Sequence, residues 1–218
     1  MGVIIETAEQ ESKQKNIVAA PLQQSGEEDN RLFPVFLKLE ELRVLLVGAG
    51  YVGLEKLNAL INNSPATSIH IVADKVSDDV KKLVTSNNNI IIEEKKFEPT
   101  DLLDKDLVIV AIDDKEESKR IRFLAKEQKL LVNVADTPEL CDFYLGSIVK
   151  KGNLKIAIST NGKSPTIAKR VKEALNDTLP DELDELLNNM QSIRNKMSGD
   201  FAQKVKDLNE LTKQLIIK

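Results

Sequence analysis

Tryptophan is absent from this chain, and aromatic residues make up only 4% of it. Proteins that hold single-stranded nucleic acid stack bases on aromatic side chains, so a nucleic-acid partner is disfavoured. Cysteine occurs once, at Cys141, which excludes an intrachain disulfide and a cysteine-built metal cluster; a reducing cytoplasm is the expected setting. The single histidine, His70, stands inside an apolar run, where a structural role outweighs a ligand role, and no metal-ligating set is expected. No apolar run has the length of a membrane span, and the N-terminus lacks a basic region followed by an apolar one, so no membrane association is expected. Large domain arrays are excluded too, because 218 residues hold one ordinary domain and an accessory part.

Charge is unevenly spread. The formal net charge of −4 arises in the first thirty residues, where six acids face two bases, and residues 31–218 are formally neutral. Residues 1–30 are rich in Glu, Gln, Ser and Lys and carry only a short apolar patch at 17–20. They bury too little to offset ordering entropy, and a tail without fixed structure is expected there. Residues 32–37 (LFPVFL) are apolar and interrupted by Pro34, which predicts an extended segment at a sheet edge or covering the core.

What the sequence does contain is organised around residues 43–53, RVLLVGAGYVG. An apolar strand runs directly into glycines spaced G-x-G-x-x-G, and residues 51–61 then carry helical periodicity. In a dinucleotide-binding turn, Gly48 permits the tight bend, Gly50 lets the backbone approach a pyrophosphate, and Gly53 allows helix to pack on strand. The helix N-terminus supplies free N–H groups to the anion. A second apolar strand at 68–73 ends at Asp74, 21 residues after Gly53, where such sites place an acid on the ribose hydroxyls. That carboxylate repels a 2′-phosphate and favours NAD over NADP. The competing reading is a helix–strand turn that needs glycine for packing alone.

Beyond it the pattern alternates. A helix is expected at 77–86 with Ser77 as its cap, strands at 90–94, 106–112 and 130–134, and a charged helix at 115–128 with Ile121, Leu124 and Ala125 inward. Strand and helix in alternation predict a Rossmann-like, doubly wound parallel sheet, whose ligands lie outside the carboxyl ends of the strands. Gly48, Asp74, Asp113 and Asp136 each follow a different strand, and one crevice is expected to collect all four. Asp113 reads equally well as a cap for the helix that follows it.

From residue 143 the pattern changes. Two short strands, 147–149 and 154–159, flank the turn 150–153 (KKGN), and Pro165 opens a helix running to about residue 176. Seven basic residues and no acid lie between Lys150 and Lys172. A solvated basic face is one account; an anionic ligand beside the crevice is the other. Residues 181–218 are helix formers with apolar spacing at Leu183, Leu186 and Leu187 and again at Leu208, Leu211 and Leu215. The expected organisation is a tail (1–30), a dinucleotide-binding domain (31–145), a small dimerisation or substrate-binding region with strands (146–180), and a C-terminal helical part (181–218).

Four separated segments, LFPVFL, VGAGYVG, NVADTPELCDFY (133–144) and STNGKSP (159–165), stand in the order found in the precorrin-2 dehydrogenases and sirohydrochlorin ferrochelatases, and residues 31–180 resemble that family. The resemblance implies a homodimer whose interface completes the site, with NAD-dependent oxidation of precorrin-2 to sirohydrochlorin. Some members also insert Fe²⁺ to give siroheme. It further implies that Asp136, the acid of N-V-x-D, serves as catalytic base, and that Tyr51, Val52, Asp74 and Lys75 touch NAD. Asn133, Ser159 and Thr160, in the two later motifs, are expected to meet the tetrapyrrole. Charge alone adds Lys163, Lys169 and Arg170 as residues for its carboxylates. Where the family often carries a basic pair after the glycines, Leu54-Glu55-Lys56 keeps only the lysine. The chain has no room for the methyltransferase domain fused to some relatives, so precorrin-2 is expected from a separate enzyme. A rival reading, a nucleotide-sensing regulatory module, shares the glycine turn and terminal acid but needs no catalytic base.

Overall fold

The structure is a computed structural model that describes residues 30–198 and 200–213. The chain divides into units 1–31 and 32–218, and the tail expected over 1–30 lies, apart from Asn30, outside the described residues. Within the second unit the order is β1 (Arg43–Ala49), α1 (Tyr51–Asn63), β2 (Ser68–Val76), α2 (Asp78–Thr85), β3 (Ile90–Glu94), β4 (Leu107–Val110), α3 (Lys115–Glu127) and β5 (Leu131–Val134). There follow β6 (Ser147–Lys151), β7 (Leu154–Ile158), α4 (Pro165–Thr178), α5 (Leu183–Lys196) and α6 (Phe201–Thr212).

Strands β1 to β5 form one parallel sheet in the order β3-β2-β1-β4-β5, so the winding direction reverses between β1 and β4. Side-chain alternation sorts the core into two layers. Val44 and Leu46 of β1 join Ile69, Ile71 and Ile109 under Leu57 and Leu60 of α1 and Val80 of α2. Leu45 and Val47 face the other way, with Val108, Val110, Val132 and Val134 under Ile121 and Ala125 of α3. Leu45, Leu57 and Ile121 are each 0% exposed; burying a side chain of this size contributes about 1.5–3 kcal/mol. Helices on both faces of an all-parallel sheet make the expected doubly wound fold. The caps also match expectation: the Ser77 side chain accepts from Val80 N.

Two expectations about local structure change. Strand β2 runs to Val76 rather than stopping at residue 73, because Ala49 of β1 pairs with Val76 across a register shift and Ser77 N donates to Ala49 O. Residues 32–37 form no strand and cover no core: Phe33 is 85% exposed and Phe36 68%. Both core layers are closed by helices, which leaves that apolar segment without a face to cover.

Strands β6 and β7 form a separate antiparallel hairpin with Gly152 at φ +55° in its turn. Its turn is held by α5, where Asp184 Oδ1 accepts from Asn153 N and Asn153 Nδ2, both at 2.7 Å. Helix α4 packs on β6, burying Val149 and Ala168. Among the described residues, α5 has no buried side chain, and no helix is long and apolar enough to cross a membrane. Leu215 lies outside the described residues.

Candidate functional site

Gly48 lies one residue before β1 ends at Ala49, with φ +103°, and a Cβ there would sit 2.2 Å from the Ala111 carbonyl oxygen. Only glycine lets β1 and β4 approach so closely at the point where their connections diverge. Gly53, on the first turn of α1, faces back onto that bend: a Cβ would lie 2.3 Å from Gly48 O. Gly50 differs from both. Its φ is −83° and nothing lies within 4 Å of its Cβ position, so neither conformation nor packing within the chain demands glycine. Open space over the backbone is what a pyrophosphate needs, and α1 starts there with no side-chain cap. The residues present therefore fit a dinucleotide phosphate.

A crevice of about 670 Å³ opens from this turn and is lined by Gly48, Gly50, Tyr51, Val52, Asp74, Lys75 and Asp113. Asp114, not Asp113, caps α3, accepting from Glu116 N and Glu117 N at 3.0 Å each. Of the two alternatives for Asp113 the cap is thereby removed, and its exposed carboxylate points to no partner among the described residues. At the far wall, the Arg120 guanidinium lies 5.6 Å over the Phe97 ring. Glu117 grips that guanidinium through two bonds of 2.7 Å, and the pairing holds the Glu117 carboxyl below the usual range.

A second cleft lies on the other side of the α1 N-terminus. Two adjoining hollows of about 780 and 340 Å³ share Lys56, Asp136, Leu145, Gly146, Ser147 and Pro165. Val52 lines both this cleft and the dinucleotide crevice, so the two meet at the first turn of α1. Asp136 projects into the cleft from a left-handed backbone at φ +55°, a conformation aspartate tolerates better than most residues. Its carboxylate is exposed and unpaired among the described residues.

The loop that presents Asp136 is tied back onto β5 and α3. Asp142 accepts from Arg122 at 2.9 Å, Lys126 at 3.0 Å and Val132 N at 2.9 Å. Asn133 Nδ2 donates to Phe143 O at 2.8 Å. Val134 N donates to the Cys141 sulfur at 3.3 Å, and burial pushes that thiol's pKa up. Much of the NVADTPELCDFY motif thus serves to hold one carboxylate in place.

A family model described as NAD(P)-binding matches residues 35–147, more than half of the chain. The chain belongs to this NAD(P)-binding family. A second model, the sirohaem biosynthesis protein central region, matches residues 151–178, which include β7 and all of α4. Among curated proteins, a siroheme synthase of Ruthia magnifica is 32% identical over 80% of this chain and 34% of its own length. A siroheme synthase of Pseudoalteromonas atlantica is 33% identical over 84% of this chain and 37% of its own. The chain therefore spans about a third of the length of these relatives. Its fold resembles that of a solved structure titled SirC, precorrin-2 dehydrogenase, at a TM-score of 0.66 with 23% identity, covering 85% of this chain and 94% of that one.

With the NAD(P)-binding family established, the expected residues sort into two groups. Gly48, Gly50, Tyr51, Val52, Asp74, Lys75 and Asp113 come together in one crevice, whereas Asp136 lines the other cleft. The expectation of a single crevice fails because Asp136 follows β5 at the sheet edge, two strands from β1, and faces the hairpin. Ser159 and Thr160 line the same cleft as Asp136, with the Thr160 hydroxyl spanning the turn to Ser164 N and O at 3.2 and 3.1 Å. Asn133 borders it but is 6% exposed and engaged with Phe143. Lys163, Lys169 and Arg170 do not line it; Arg170 instead pairs with Glu173 at 2.8 Å. At about 100° per residue, positions 165, 168, 172 and 176 share one side of α4 and Arg170 turns away, while Lys169 falls at the edge of that side, exposed and outside the lining. The lysines that do line the cleft are Lys56, Lys150 and Lys172. Helical phase relative to Pro165 was a signal that separated Lys172 from Arg170 but not from Lys169. His70 remains in β2, its Nε2 3.1 Å from Glu93 Oε1 but off the line of a hydrogen bond.

Proposed function

We propose that this chain oxidises precorrin-2 to sirohydrochlorin with NAD, as the dehydrogenase step of siroheme formation. The observation that carries this is the unpaired Asp136 carboxylate in a roomy cleft that meets the dinucleotide crevice at Val52. Siroheme synthases as relatives, and the sirohaem central model over residues 151–178, support the same substrate class.

The backbone at Gly50 and the start of α1 would hold the pyrophosphate, and Asp74 the ribose hydroxyls. NAD, when bound, supplies the hydride acceptor. Asp136 takes up, on a carboxylate oxygen, the proton that leaves the neighbouring carbon of the substrate. The αL backbone and the Asp142 network keep that oxygen aimed into the cleft. Fe²⁺ is proposed as a further substrate, because metal insertion also requires protons to leave pyrrole nitrogens and the same carboxylate can take them. Exposure of Phe33 and Phe36, and the lack of any buried side chain in α5, support a homodimer. One half-buried, unpaired cysteine is in keeping with a reducing cytoplasm.

Anaerobic incubation with precorrin-2 and NAD should give one reduced nicotinamide per substrate; none formed from authentic substrate rejects the proposal. NADP should serve poorly, and Asp74→Asn should narrow the gap. Dinucleotide binding without any turnover would instead favour a sensing module. Supplying sirohydrochlorin and Fe²⁺ tests metal insertion, and a rate equal to the uncatalysed one confines the chain to oxidation.

A further inference from the structure

Seven basic residues crowd residues 150–172, yet the fold uses them unequally. Lys151 pairs with Asp181, Lys155 donates to Asn63 O at 2.6 Å, and Arg170 is held by Glu173. Lys150 and Lys172 carry no hydrogen bond or ion pair among the described residues, and both line the cleft that contains Asp136. Lys172 is half-buried. A half-buried ammonium without an anion gives up hydration and gains nothing in return, and such a position is stable chiefly when a ligand supplies the charge.

Local architecture explains why these two face inward. On β6, Val149 is 0% exposed beneath α4, so its neighbours Ile148 and Lys150 fall on the opposite, cleft-facing side. On α4, Lys172 lies one turn beyond the buried Ala168. Two carboxylates line the same cleft. Glu55 is paired with Lys56 at 3.0 Å, and neither Glu55 nor Asp136 forms an ion pair with Lys150 or Lys172. Ala59, Leu145 and Ile148 supply apolar wall between the charges.

Resting on the reading of a tetrapyrrole substrate, we infer that Lys150 and Lys172, from the hairpin and α4, select the substrate by its peripheral carboxylates. They act as specificity residues, and Lys169 and Arg170, exposed and outside the cleft lining, do not. A flat macrocycle lies against the apolar wall while ammonium groups on two different elements take carboxylates at its rim. Each contact is charge-assisted, and such hydrogen bonds are roughly twice as strong as neutral ones.

Uroporphyrin I, an octacarboxylate tetrapyrrole, and coproporphyrin I, a tetracarboxylate one, are the probes, titrated by fluorescence against the full chain. The wild type should bind uroporphyrin the more tightly, with affinity that falls as salt rises. Lys150→Gln with Lys172→Gln should weaken uroporphyrin binding about 100-fold, taking about tenfold per contact, and should abolish the preference over coproporphyrin. Lys169→Gln with Arg170→Gln should change it less than about twofold, as for distant surface charges. Lys172→Arg should restore binding in the single Lys172 background, and NAD affinity should be unchanged throughout. Unaltered uroporphyrin affinity in the folded double variant overturns the inference, as does a larger loss in the Lys169/Arg170 pair. If the double variant does not fold, salt-independent binding by the wild type overturns it. Failure of the enzymatic reading is separate: no reduced nicotinamide from precorrin-2 while the lysine dependence holds leaves polycarboxylate recognition standing and removes only the reaction.

Discussion

The dinucleotide crevice and the Asp136 cleft meet at one residue, Val52, but are built by different means. The crevice is made by backbone: a glycine bend whose Cβ positions are occupied at Gly48 and Gly53 and open at Gly50, followed by an acid at the end of the next strand. That bend and that acid lie between Gly48 and Lys75, with the β4 end added by sheet pairing. The cleft is made by side chains drawn from α1, the loop after β5, β6 and α4, which approach only once the hairpin has packed. Backbone geometry constrains residue type tightly, whereas a side-chain cleft constrains mainly which helical or strand phase faces inward.

Removing the Asp136 carboxylate is the sharpest test of that division. Asp136→Asn should lower the rate of precorrin-2 oxidation about 1,000-fold, within the range for a positioned base, while dinucleotide affinity stays the same. A parallel loss of NAD binding would mean the two regions are one site. Gly48→Ala should cost about 3 kcal/mol of stability, from a 2.2 Å clash added to the positive φ, and appear as a lower Tm. Gly50→Ala, with open space around it, should keep its Tm and weaken NAD binding about tenfold, a loss of about 1.4 kcal/mol; equal Tm losses in the two variants would break the distinction between bend and phosphate seat.

Asp142→Ala addresses the scaffold under the cleft. Stripping a carboxylate that accepts from Arg122, Lys126 and Val132 N should destabilise the chain by about 2 kcal/mol, as for charged hydrogen bonds. Oxidation should then fall by more than NAD affinity does, measured on the folded fraction. The smallest effect is at Cys141. Burial raises its pKa, so at about pH 8.5, where roughly half of free cysteine is thiolate, its thiol stays mostly protonated. Alkylation at that pH should be slower than for free cysteine and should accelerate only as pH rises further; a free-cysteine rate would show that the Asp136 loop opens.

Legibility followed the same division. Strand β1, the glycine bend, Ser77 as a cap and Pro165 as the first residue of α4 could be read directly, because each depends on local stereochemistry. Asp114 taking the cap from Asp113 turned on a one-residue difference that spacing alone could not separate. Residues 32–37 misled, since an apolar run says that a surface is wanted but not that one is vacant in the same chain. Counting charge found the basic stretch but could not sort its members: Lys150 and Lys172 line the cleft and Lys163, Lys169 and Arg170 do not, a difference set by how α4 and the hairpin pack.

The amino-acid sequence by itself determined the doubly wound sheet, the glycine seat for a dinucleotide and the acid that follows β2, all set by periodicity and backbone sterics over short stretches. Tertiary structure alone decided that Asp136 stands in a separate cleft, that Asn133, Cys141 and Asp142 brace its loop, and that Lys150 and Lys172 face it. Those facts depend on how an edge strand, a hairpin and a helix pack together, and packing across distant segments leaves no fixed spacing in the chain.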